Sequence, residues 1–102
     1  MKTSEVIREA RNLLFERGWT KNYLKNAAGN VCLRGALMWA ATGGIDWSAW
    51  DKISPAESII SSKLINGMNV ASWNDEPSRT FDEVIEVLDK AEKIAEQQEA
   101  EQ

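Results

Sequence analysis

A mainly α-helical domain is predicted by three observations. Apolar residues recur at three- and four-residue spacing in separate stretches, the signature of one buried helical face. Two Ser/Thr-x-x-Glu signatures, Ser54 to Glu57 and Thr80 to Glu83, read as capping boxes at helix starts. Gly18, Gly43-Gly44 and Gly67 then stand where such stretches end. The expected architecture is a compact irregular bundle of four principal helices with long loops.

The first helix is expected from a Thr3 or Ser4 cap to about Arg17, with Val6, Ile7, Ala10, Leu13 and Leu14 on one face and Gly18 as its stop. Trp19 is placed to fold back over that helix end. Thr20 to Asn30 is polar and reads as a loop or a short β-hairpin within 20–33; a hairpin would make the fold α+β. Val31 to Thr42 is apolar on nearly every face and predicts a central buried helix, in which Gly35 admits the close approach of another helix.

Gly43-Gly44 stops that helix, and Ile45 to Lys52 holds Trp47 and Trp50 one turn apart, presenting both indoles on one side. A helix from Pro55 to about Asn66 follows the Ser54 box, with Ala56, Ile59, Ile60, Leu64 and Ile65 inward. Met68 to Ser78 is expected to be a loop bearing Trp73-Asn74-Asp75. The last helix starts at Phe81, with Val84, Ile85, Leu88 and Ala91 in apolar register. The expected division is a single globular domain over 1–95 and a frayed acidic tail over 96–102.

Composition excludes several function classes. One cysteine, Cys32, rules out an internal disulfide framework, and the lack of histidine removes the commonest metal ligand and the usual acid–base group near neutral pH. No window approaches the roughly 18 apolar residues of a membrane span. No cofactor is indicated, and a cytoplasmic, non-enzymatic protein is expected. Residues 1–34 carry seven Lys/Arg against three Asp/Glu, net +4; residues 35–102 carry five against thirteen, net −8. The halves should attract each other, which disfavours the reading of Lys2, Arg8, Arg11, Arg17, Lys21, Lys25 and Arg34 as a nucleic-acid surface.

Trp19, Val31-Cys32-Leu33-Arg34-Gly35-Ala36-Leu37, Trp73-Asn74-Asp75, Arg79-Thr80 and Val84, in this order, resemble a small domain family of unknown function encoded by actinobacteria and their phages. The Cys-Leu-x-Gly-Ala-Leu and Trp-Asn-Asp signatures carry the resemblance. It implies phage or prophage origin and no assigned activity.

Candidate sites are few. Cys32, with no histidine as base, reads as a small buried hydrophobe. Asn74 and Asp75 read as a turn fixed by their own side chains, with ligand contact as the sharper alternative. Arg79 is expected to pair with Asp75 or Asp82 and pin the loop. Of five tryptophans, Trp39 is assigned to the core. Trp19 and Trp73 are expected to cover helix ends, their indole N–H groups on backbone carbonyls. Trp47 and Trp50, among Asp46, Ser48 and Asp51, most resemble the aromatic anchors of an interface. The partner-binding set is therefore Trp47, Trp50, Trp73, Asn74, Asp75 and Arg79, for an unknown protein such as a host factor. Self-association through the Trp47/Trp50 segment and a nucleic-acid-binding or DNA-mimic regulator are the alternatives.

Overall fold

In a computed structural model that describes residues 1–101, the apolar registers become helices α1 (Thr3–Arg17), α2 (Leu33–Thr42), α3 (Trp50–Ile59), α4 (Val70–Asn74) and α5 (Phe81–Ala100). The protein is mainly helical, and among the described residues no strand forms. Helix α1 lies between α2 and α5 and also touches α3. Its Val6, Ile7, Ala10 and Leu14 are buried as the spacing required, whereas Leu13, expected on the same face, is only partly buried. They meet Leu33, Ala36, Leu37 and Met38 of α2, Ile53, Ala56 and Ile59 of α3, and Val84, Val87, Leu88, Ala91 and Ala95 of α5 in one core.

The charge asymmetry resolves into contacts between the first and last helices. Arg8 Nε lies 2.8 Å from Glu92, and one nitrogen of Arg11 lies 2.6 Å from Asp89 and 2.8 Å from Glu92. Arg8 and Asp89 are about half exposed, so their pairings add little stability, while the Arg11–Glu92 contact is more sheltered. These pairs consume basic side chains of α1 and acidic ones of α5 against each other.

Several local expectations change in the folded chain. Neither Thr3 nor Ser4 caps α1: Lys2 occupies the cap position. The Ser4 hydroxyl and amide instead donate to Glu99, at 2.6 and 3.1 Å. That contact lies in the last turns of α5, which stays helical to Ala100 beyond the point at which fraying was expected. No hairpin forms in 20–33. The segment is a loop closed by single-residue bridges, with Thr20 N donating to Val31 O and Val31 N to Gly18 O.

Gly35 does allow a close approach, though by this loop rather than by a helix: a Cβ at Gly35 would overlap the Leu24 carbonyl. Ser54 does not start a helix either. Asp46 caps a 3-10 turn at Trp47–Ala49 that runs directly into α3, leaving Pro55 inside the helix on its exposed side. Glu57, freed from the expected capping box, turns to Arg34. Beyond Ile59 the chain widens into a π turn over Ile60–Leu64 and ends at Asn66 and Gly67, both with positive φ. The second capping box forms as expected: Glu83 N donates to Thr80 Oγ1 and Thr80 N to Glu83 Oε1.

Candidate partner-binding site

The segment expected to be loop from Met68 to Ser78 contains α4, capped by Asn69, whose Oδ1 accepts from the amides of Ala71 and Ser72. That turn carries Trp73 and Asn74 inward. Asn74 has no accessible surface. Its Oδ1 accepts from Trp19 Nε1 at 2.7 Å and Leu33 N at 3.1 Å, while its Nδ2 donates to Thr20 O and Asp75 Oδ1. The side chain thus ties α4 to the loop after α1 and to the first amide of α2, an amide no helical carbonyl can satisfy. Asp75 holds the same loop by accepting from Asn22 N at 2.8 Å.

Arg79 pins the loop, but through different acids from those expected. It donates to Glu76, Glu83 and the carbonyl of Trp73, and its guanidinium carbon lies 3.9 Å from the centre of the Trp73 ring. Glu76 and Glu83 stand three and four residues away along the chain, the spacing at which side chains meet. Trp73, Asn74, Asp75 and Arg79 are therefore brought together, as an internal brace rather than an exposed contact face. Trp19 donates to Asn74 and not to a backbone carbonyl. Trp39, assigned to the core, is only half-buried, with the Arg17 guanidinium 4.0 Å and the Lys25 ammonium 5.4 Å from its ring centre.

Trp47 and Trp50 lie apart from this brace and are 58% and 44% exposed. Their rings stack at 6.1 Å with an interplanar angle of 24°. Asp46 fixes the turn by accepting from the Ser48 amide and hydroxyl, contacts that also hold its carboxyl below the usual range. Beneath Trp50 lies Arg34, its guanidinium carbon 4.9 Å from the ring centre. Arg34 is in turn held bidentately by Glu57, at 2.8 and 3.2 Å, with both side chains nearly buried. A continuous series runs Glu57, Arg34, Trp50, Trp47, from the interior to solvent. Glu57, Arg34 and Trp50 of this series line a cleft of about 240 Å³ together with Ser54, Ser58, Met68 and Val70.

Glu57 was not singled out as a contact, and Arg34 was weighed only among the basic side chains of a nucleic-acid surface. The one cue to them was an arginine inside an otherwise apolar helix, since a charge buried there requires a partner. Spacing cannot identify that partner 23 residues away.

Cys32 caps α2, its sulfur accepting from Gly35 N at 3.3 Å, and burial pushes its thiol pKa up. That is the opposite of what an activated nucleophile needs. Among the described residues no group of three or more His, Cys, Asp or Glu is placed to hold a metal ion, and no helix is long and apolar enough to cross a membrane.

The fold and site define a small helical domain that displays a braced pair of indoles. The model of a family described as a family of unknown function, DUF6197, matches residues 1–94, and the chain belongs to that family. No curated protein and no solved structure matches it.

Proposed function

We propose that this protein is a non-enzymatic protein-binding module whose contact surface is centred on Trp47 and Trp50. The observation that carries the reading is the pair itself: two large apolar rings stacked on each other and left exposed. Exposed indoles that were free to rotate would lose entropy on binding. These are held by each other, by the Asp46-capped turn and by Arg34, so that cost is already met in the free protein. Aromatic side chains with such fixed geometry dominate binding energy at interfaces.

The resemblance to proteins of actinobacteria and their phages supports a phage or prophage protein that engages a host factor. A nucleic-acid-binding or DNA-mimicking role has less charge to draw on, because Arg8 and Arg11 are paired with Asp89 and Glu92.

The test is a tagged pull-down from host lysate, comparing the natural chain with a Trp47→Ala/Trp50→Ala variant whose helicity matches by circular dichroism. A partner retained by the natural chain and lost by the variant is the expected result. Equal capture by both, or none by either, sinks the reading.

A further inference from the structure

The tryptophans of this chain follow a rule with one exception. Trp19 has Lys21 over its ring at 5.3 Å, Trp39 has Arg17 and Lys25, Trp50 has Arg34, and Trp73 has Arg79. At two of these the cation is an arginine also gripped by carboxylates: Arg34 by Glu57, and Arg79 by Glu76 and Glu83. Trp47, with 58% of its surface exposed, carries no cation over its ring among the described residues.

A carboxylate nevertheless stands beside it. Asp46 directly precedes it, exposed and in no ion pair among the described residues. Asp46 uses only Oδ1 for its Ser48 contacts. The nearby cation, Lys52, helps hold the Asp46 carboxyl low but does not come within ion-pair distance of it.

We propose, resting on the protein-binding reading above, that the partner supplies the missing cation: an arginine side chain that stacks on Trp47 and pairs with Asp46. Arginine fits this position better than lysine. A planar guanidinium can lie on an indole while its edge engages a carboxylate, and at Trp50 and Trp73 an arginine 4.9 and 3.9 Å from the ring centre is also paired with a carboxylate. The net charge of −4 also favours encounter with a basic surface.

The five indole N–H signals in a ¹⁵N-correlated NMR spectrum report on each tryptophan separately, with Trp47→Phe assigning the relevant one. The full chain is titrated with capped acetyl-Gly-Arg-Gly-amide at millimolar concentration, and with the same peptide carrying citrulline or lysine. Expected is a saturable shift of the Trp47 signal with arginine, weaker with lysine and absent with citrulline. Asp46→Asn should weaken it several-fold.

An unmoved Trp47 signal, an equal response to citrulline, or equal shifts at all five indoles overturns the proposal. So does a Trp47 signal that moves only with protein concentration, which marks a second copy as the occupant. If the pull-down finds a Trp47/Trp50-dependent partner while the arginine peptide does nothing, the partner chemistry fails and the binding module stands. If both fail, the module reading fails with it.

Discussion

The Trp19 indole N–H donates at 2.7 Å, across 55 residues of sequence, to the side-chain oxygen of Asn74, a residue with no accessible surface. The same oxygen satisfies the Leu33 amide, so one amide side chain joins the end of α1, the start of α2 and α4. Replacing Asn74 by Ala strands the Trp19 donor, the Leu33 amide and the Thr20 carbonyl. Each stranded group costs about 1–3 kcal/mol, partly offset by water entering the space. Asn74→Ala should lower stability by about 3 kcal/mol, seen as a reduced urea midpoint. A loss under about 1 kcal/mol would show that water replaces the amide fully.

Gly35 separates helix propensity from packing. On an open helix, alanine is favoured over glycine by about 1 kcal/mol. Here the added methyl would overlap the Leu24 carbonyl, which accepts from Cys32 N at 3.2 Å. Gly35→Ala should therefore destabilise, by about 2 kcal/mol. Gly44→Ala, which meets nothing within 4 Å, should be nearly neutral. Thermal denaturation of the two variants decides the matter, and a stabilised Gly35→Ala would contradict the close approach.

The tryptophans should divide by burial. Trp73, only 7% exposed, should cost about 3–5 kcal/mol on replacement by Ala. Trp47→Ala should fall within about 0.5 kcal/mol of the natural chain. Trp50→Ala, which gives up contact with Arg34, should lie between the two. Chemical denaturation of the three single variants gives the order directly, and a Trp47→Ala as damaging as Trp73→Ala would make the exposed pair a packing element.

Glu99 contributes pH dependence. The Ser4 hydroxyl and amide hold its carboxyl below the usual range. A carboxylate depressed in the folded state stabilises above its unfolded pKa, about 4.3, and the contribution disappears as pH falls through the lower folded value. Glu99→Gln should therefore be less stable than the natural chain near pH 7, with the gap closing toward about pH 3. Urea unfolding at the two pH values tests this, and a gap that persists in acid refutes it.

Cys32 should resist thiol-alkylating reagents in the folded protein and react once urea unfolds it. Its sulfur is buried, its thiol pKa is raised, and it already accepts from Gly35 N. Mass spectrometry after brief alkylation distinguishes the two states, and rapid labelling of the native chain would reopen the nucleophile reading.

What the amino-acid sequence determined by itself is local. Period and punctuation specified α1, α2 and α5, and Thr80 and Glu83 specified the cap of α5, because the groups concerned lie within a turn of one another. The buried register of α1, from Val6 to Leu14, follows from the same geometry. The opposite charges of the two halves also foretold that α1 and α5 would attract. Only the tertiary structure decided that Glu57 leaves Ser54 for Arg34, that Glu99 rather than Thr3 satisfies the start of α1, and that Asn74 is an internal joint. It also decided which indoles remain outside: Trp39 lies half in solvent under Arg17, and Trp47 and Trp50 are displayed. Those outcomes depend on which groups distant in sequence arrive side by side, and on how much apolar surface so small a core can cover. Residue type and spacing carry neither quantity.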